Sequence, residues 1–471
     1  MTPPKNPYAF PLKPKEYAPG PVPILDEWKA LWNAWDLVTT KMIPVEALME
    51  KPIPLRNPLL FYLGHIPTFE DIHLTRATGK KPTEPACYAT MFERGIDPDV
   101  NDPTQCHDHS ELPEVWPLLS EIINYRERVK ARIMSLYITG EAFNNRCIGR
   151  ALWIGFEHEA LHIETFLYMS ILSPNQLPPP DIPRPNFAGM AREAAAERVE
   201  NEWFRIPEQE FTIGYEDPES DDGPNRFFAW DNERKPYNAQ VESFEAQARP
   251  VSVGEFAAYL VDTGIEQIPV TWVDSDNSNH TDGNHSFISR HGIRTVWGPL
   301  PLSQALDWPA TASYNEVAGY AKWVGARIPT LHEVRSIHEY VERTRKAPDS
   351  AVNKTFHTDS EAVFVDLGNA NVGFQNFHPT PVTQNGSRLC GLGEFGGAWE
   401  WTSDSFAPQP GFKPMDIYPG YSADFLDGKH IAIVGGSWAV HPRIAGRKSF
   451  LNWWQRNYLY PWVATRLVRD I

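Results

Sequence analysis

Between Leu25 and Leu172 apolar residues return every third or fourth position in four long runs: "LDEWKALWNAWDLV", "PLLFYLGHIPTFEDIHLTRA", "LLSEIINYRERVKARIMSLY" and "CIGRALWIGFEHEALHIETFLYMSIL". That is the period of a helix that buries one face. Four such segments predict a four-helix bundle over 21–173. Six prolines then fall within 174–185, so 174–200 reads as a proline-rich linker. From Asn201 the pattern changes to short alternating runs broken by Gly, Pro, Asn and Asp. This predicts a compact, loop-rich domain over 201–471, with helices in "YNEVAGYAKWVG" (314–325) and "LHEVRSIHEYVERTRK" (331–346). Residues 1–20 read as a proline-rich extended arm, with order expected from about Ile24. No repeat of fixed period is present, and the fold class is α+β.

The chain has 471 residues, enough for two or three domains with their own cores. Its 17 Trp point to aromatic-lined cavities, although core filling explains any single Trp equally well. A formal charge of −17 argues against nucleic acid or an anionic membrane as partner, which leaves small molecules. Cys87, Cys106, Cys147 and Cys390 form no CxxC and no close pair, so neither a disulfide framework nor a thiolate metal site is expected. The N-terminus lacks the apolar core of a signal peptide, and no run of about 18 apolar residues occurs. A cytoplasmic protein without a membrane span is expected.

In "GFEHEALHIETFLYM" His158 and His162 are four apart, on one helix face and one turn from each other. The spacing lets both imidazoles reach one ion, but two core histidines would also satisfy it. Their neighbours Trp153, Ile154, Phe156, Leu161, Phe166 and Leu167 imply burial, and buried imidazoles need partners. Glu157, Glu159 and Glu164 are offset by about 100° or 200° from the nearer His and are poorly placed to share the ion. A third ligand is expected from "FYLGHIPTFEDIHLTRA", where His65 sits in an apolar run and is preferred to His73 beside charged residues. Three imidazoles without thiolates suit Fe(II) with oxygen or catalytic Zn(II) with water, and ligand type alone does not choose.

The stretches "LRNPLLFYLGHIPTFEDIHLTRATGKKPTEP", "MFERGIDPDVNDPTQCHDHSELPEVWP" and "GFEHEALHIETFLYM" resemble the DinB-like iron-binding bundle of the ergothioneine-pathway sulfoxide synthases (hercynylcysteine S-oxide synthases), in their fungal form above all. "FAWDNERKP", "WPATASYNEVAGYAKWVGARIPTLHEV", "GGAWEWTSDSF", "NANVGFQNFHPTPV", "GGSWAVHPRIAGRKSFLNWWQRN" and "ATRLVRD" are similar to landmarks of the formylglycine-generating-enzyme-like, C-type-lectin-like domain of the same enzymes. The resemblance implies Fe(II) held by His65, His158 and His162. It implies oxidative coupling of a cysteine sulfur to the imidazole C2 of hercynine (trimethylhistidine), using O2 in a monomer. It assigns Tyr421 in "YPGYSADF" to proton or electron supply, where packing alone would also account for a Tyr, and Asn452, Trp453 and Trp454 to substrate binding. Arg94 is the candidate for the cysteine carboxylate.

Two departures qualify the resemblance. Leu161 stands where bacterial members often carry a Gln that touches the substrate imidazole, and Trp454 stands where users of gamma-glutamylcysteine commonly carry Asp. Free cysteine is therefore the expected thiol. Fungal members usually carry a methyltransferase domain ahead of these two, whereas this chain starts at Met1 with no Gly-rich nucleotide loop. It is expected not to bind S-adenosylmethionine, and to be a stand-alone or excised synthase, or a paralogue that uses another histidine-like acceptor or oxidises cysteine to the sulfinate. Copper-dependent formylglycine generation needs paired cysteines, and Cys390 is the only one in the second half. A metal-free binding protein remains the bland alternative.

Overall fold

The computed structural model describes residues 6–12, 22–97, 99–102, 108–217, 219, 228–275, 286–345 and 363–471. Cys106 and most of the proline-rich arm lie outside the described residues. The N-terminal half contains α1 (Leu25–Asp36), α2 (Leu59–Thr78), the short α3 (Tyr88–Phe92), α4 (Leu119–Ile138), the one-turn α5 (Glu141–Asn144) and α6 (Arg146–Ser170). The four long helices are those that the apolar period predicted. α2 and α6 are the inner pair, and residue after residue along both is buried. Gly79 in the left-handed region ends α2, while Asn145 caps α6 by accepting from the backbone of Cys147 and Ile148. Among the described residues no helix is long and apolar enough to cross a membrane.

The proline-rich stretch 174–200 carries a helix of its own, α7 (Phe187–Ala196), capped by Asn186. The C-terminal half is built from small sheets, antiparallel except for the parallel pair β8 and β11, and connecting helices. Strands β1 (Trp203–Ile206), β4 (Phe244–Gln247) and β12 (Val468–Asp470) form one sheet, and β2 (Gln209–Ile213) pairs with β3 (Tyr237–Val241). Strands β5 (Trp272–Asp274), β6 (His291–Ile293) and β7 (Leu300–Pro301) form another. The sheet nearest the bundle has the order β10 (Asn452–Gln455), β9 (His430–Gly435), β8 (Trp399–Ser405), β11 (Val463–Ala464). The helices of this half are α8 (Val253–Thr263), α9 (Phe287–Arg290), α10 (Tyr314–Trp323) and α11 (Leu331–Arg345), α10 and α11 at the expected places, followed by the single turns Gly420–Ala423 and Pro442–Ala445. Short strands and loops dominate because Gly and Pro interrupt every apolar run. Residues 6–12, ahead of the expected start of order, pack on this half: Phe10 is buried, and its N–H bonds the Gly373 carbonyl at 2.9 Å.

Helix α6 joins the halves through two buried carboxylates. Glu157 accepts from Trp230 Nε1 at 2.6 Å, Arg443 Nε at 2.8 Å and Arg447 Nη1 and Nη2 at 2.6 and 2.7 Å. Glu164 accepts from Trp399 Nε1 of β8 at 2.9 Å. Glu159 turns the other way, to Arg126 of α4 at 2.7 Å. Glu157 and Glu164, seven residues apart, thus share one face of α6 and fix it to the second domain, while Glu159 leaves on the opposite side.

Candidate metal centre

Positions 62, 65, 69 and 73 of α2 recur at helical spacing, so Tyr62, His65, Phe69 and His73 form one stripe facing α6. Opposite them His158 and His162 stand one turn apart. One ligand atom from each of His65, His158 and His162 lies within 4.8 Å of the other two. Ring centroids are 5.0 Å apart for His65 and His158, 5.0 Å for His65 and His162, and 4.2 Å for His158 and His162. His65 is buried, while His158 and His162 are half-buried, so the cluster keeps an open side.

Two hydrogen bonds set the tautomers. His65 Nδ1 lies 2.6 Å from the Phe92 carbonyl, and His162 Nδ1 lies 3.1 Å from the His158 carbonyl. A carbonyl oxygen only accepts, so each Nδ1 carries the proton and each Nε2 keeps its lone pair. Phe61 stacks on His65 with centroids 5.3 Å apart, and Phe69 on His158 at 3.6 Å. Burial pulls His65 down to about 4, partly offset by the Phe92 hydrogen bond, and lowers His158 and His162 well below the ordinary value, helped by the neighbouring imidazoles. All three are neutral near pH 7, the form that binds a metal. His158 Nδ1 is buried with no hydrogen-bond partner. Three converging neutral imidazoles, one with an unsatisfied buried nitrogen and none joined by a thiolate among the described residues, fit a first-row divalent metal with open positions.

Aromatic residues of the second domain connect to this cluster. Tyr421 stacks on Trp230 with centroids 3.9 Å apart, meets Trp453 edge-on at 5.3 Å and lies 5.9 Å from Tyr418. Tyr418 in turn packs on Phe69 and His73 at 5.3 and 5.1 Å, so aromatic contacts run from Tyr421 to the ring stacked on His158. Burial, reinforced by the nearby Asp231, Glu233 and Glu157 carboxylates, raises Tyr421 well above its ordinary value and keeps it a protonated phenol. Residues of β10 alternate faces, and this separates the two Trp of "NWW". Trp453 stacks on Phe406 at 4.2 Å on the Tyr421 side, whereas Trp454 stacks on Tyr458 at 5.0 Å and meets Tyr168 of α6 at 5.7 Å. Asn452 Oδ1 accepts the Trp453 N–H at 2.9 Å, and Leu161 is half-buried on α6 against the core. Arg94 pairs with Asp424 at 2.7 Å and lines a cavity of about 600 Å³ together with Phe69, His73, Arg76, Glu93 and Tyr418.

Sequence reasoning missed Tyr418, although it stands three residues before Tyr421 in the quoted "YPGY", and missed Phe69 and His73 as the wall between the histidines and the cavity. Helical spacing from His65 was the available signal for both. His73 is buried and packs on Tyr418, outside the three-histidine group.

Two family descriptions match the chain: the sulfatase-modifying factor enzyme 1-like domain over residues 190–471 and the DinB superfamily over residues 25–166. The chain belongs to the sulfatase-modifying factor enzyme 1-like family, with a DinB-superfamily bundle ahead of that domain. Ergothioneine biosynthesis protein 1 of Neurospora crassa is 47% identical over an alignment that covers 99% of this chain and 60% of that protein. The Schizosaccharomyces pombe protein of the same name is 33% identical, covering 96% of this chain and 56% of its own length. The chain therefore spans less than two thirds of these fungal relatives. The hercynine oxygenase of Mycolicibacterium smegmatis is 28% identical, with 85% of this chain and 88% of that protein covered.

Proposed function

We propose that the chain is a non-heme Fe(II)- and O2-dependent sulfoxide synthase acting on hercynine and cysteine. The observation that carries this reading is the convergence of His65, His158 and His162 within 4.8 Å, facing an aromatic wall. The relatives' names, ergothioneine biosynthesis protein 1 and hercynine oxygenase, support hercynine as the acceptor and O2 as the oxidant. In the overall reaction the imidazole C2–H and the cysteine S–H are lost, a C–S bond forms, one oxygen atom goes to sulfur and the other leaves in water. Fe(II) held by the three imidazoles supplies the one-electron chemistry that lets O2 oxidise a bound thiolate.

The chain's own residues divide the remaining work. Trp453 and Tyr421 offer ring faces to a trimethylammonium group, which cannot donate hydrogen bonds. The phenol of Tyr421 holds a proton at Oη for the reacting oxygen. Asn452 supplies an amide beside that wall, and Arg94, at the cavity, takes the cysteine carboxylate in competition with Asp424. Leu161 cannot hydrogen-bond the substrate imidazole, so its recognition falls to Asn452 and the wall. Trp454, turned onto Tyr168 and Tyr458, offers no carboxylate to a glutamyl amine, which favours free cysteine. The reading places a monomer in the reducing cytosol. Anaerobic loading with Fe(II), then hercynine, cysteine and O2, should give a product with the mass of both substrates less two hydrogens plus one oxygen, and His158→Ala should lose both iron and product. Cysteine sulfinate alone, or iron retained in His158→Ala, would overturn the proposal.

A further inference from the structure

The motif "FAWDNERKP" contributes none of the groups assigned above to metal, proton or substrate. Its turn Trp230–Glu233 is buried throughout, and each side chain holds a different neighbour. Trp230 donates its indole N–H to Glu157 at 2.6 Å and lays its ring on Tyr421 at 3.9 Å. Asp231 accepts the Ser422 hydroxyl at 2.6 Å and the Met415 backbone N–H. Asn232 donates to the Leu451 carbonyl, next to Asn452, at 3.4 Å. Glu233 accepts from Arg447 at 2.8 and 3.0 Å and from Ser449 at 2.7 Å, and closes the turn on the Trp230 N–H at 2.9 Å. These ties reach the helix that bears His158, the Met415–Ser422 segment that bears Tyr421, and the start of the strand that bears Asn452 and Trp453.

We propose that Trp230–Glu233 is a positioning bracket that fixes the Tyr421–Trp453 wall relative to the three histidines, with Trp230 as its central positioning residue. The inference rests on reading those histidines as the iron centre. Tyr421 sits on a single helical turn, Gly420–Ala423, which is too short to be rigid alone. Glu157, by contrast, directly precedes His158 and is held by four donors, so it is a fixed point of the metal-bearing helix. An indole whose N–H and ring face are both engaged has neither of its side-chain rotations free, and it transmits that fixed point to the phenol. Misplacement by about 1 Å can cost on the order of a hundredfold in rate.

Two reactions share the oxidant: coupling, which consumes thiol, hercynine and one O2, and sulfinate formation, which adds both oxygen atoms of one O2 to the thiol. Their ratio does not depend on the folded fraction. Trp230→Phe keeps the stack and deletes the N–H, and Ser422→Ala deletes only the hydroxyl held by Asp231. In the Fe(II)-loaded protein the ratio of sulfoxide to sulfinate should fall about tenfold or more in Trp230→Phe and less in Ser422→Ala, with iron per chain unchanged. Independently of turnover, hydrogen exchange should accelerate across residues 415–423 in both variants and stay unchanged in α6. Parent-like partition and parent-like exchange in both variants would overturn the bracket. A parent chain that forms no coupled product would instead contradict the function proposed above, and the exchange measurement would still decide the bracket.

Discussion

Replacing Glu157 by Gln tests the joint between the halves where it touches the metal-bearing helix. The carboxylate accepts four hydrogen bonds, two on each oxygen, from Trp230, Arg443 and Arg447. Gln preserves length and volume but puts an NH2 where one oxygen accepted, so two of the four contacts become donor against donor. Hydrogen bonds to charged groups contribute about 1.5–3 kcal/mol each, which puts two lost contacts at about 3–6 kcal/mol. Breaking one side of a buried ion pair costs about 3–5 kcal/mol, in agreement. Arg447 retains Glu233, which favours the lower part of that range. Glu157→Gln should therefore lose about 4 kcal/mol in urea denaturation followed by Trp fluorescence. A double-mutant cycle with Arg447→Met should show a coupling of at least about 2 kcal/mol. A loss below about 1 kcal/mol, or strict additivity with Arg447→Met, would refute the assignment of Glu157 as the anchor between the domains.

In Gly64→Ala the new Cβ would lie 2.6 Å from the Phe92 ring, whose residue supplies the carbonyl that orients His65; about 1–3 kcal/mol of stability and part of the Fe(II) affinity should be lost, read by denaturation and metal titration. Burial raises Asp231 from 3.8 to about 6, so its stabilising contribution is present below pH 3.8 and fades as pH rises through 6. Asp231→Asn keeps an acceptor for Ser422 and should gain about 3 kcal/mol on the parent between about pH 4 and pH 7, and a pH-independent difference in urea titrations would contradict this. Tyr421→Phe should lower kcat for coupling about a hundredfold without loss of iron, and unchanged single-turnover kinetics would remove Tyr421 from the chemistry.

The bundle was legible because helical periodicity is local: four apolar stripes gave four long helices, and the spacing of His158 and His162 put them on one face, although it took their apolar neighbours to favour a metal over two core histidines. The third histidine was legible because His65 belongs to an equally apolar stripe. The second domain gave only its texture and α10 and α11, since strands of two to seven residues carry little periodic signal. The resemblance assigned Trp453 and Trp454 alike to substrate binding, but strand geometry sends them to opposite faces. The buried network could not be read because its partners lie far apart in sequence: Glu157 meets Arg447 290 residues on, and Trp230 meets it across 73. Helix geometry removed Glu157 as a rival ligand, but only the folded chain shows what it holds.

The central claim is that His65, His158 and His162 together bind one iron. Anomalous diffraction at the iron edge, on crystals loaded anaerobically with Fe(II), tests it most directly. A single strong peak is expected within bonding distance of one nitrogen of each of the three imidazoles, on the side facing Tyr418 and Tyr421. The absence of a peak there, or a peak elsewhere such as at His73 and His109 in the adjoining cavity, would contradict it.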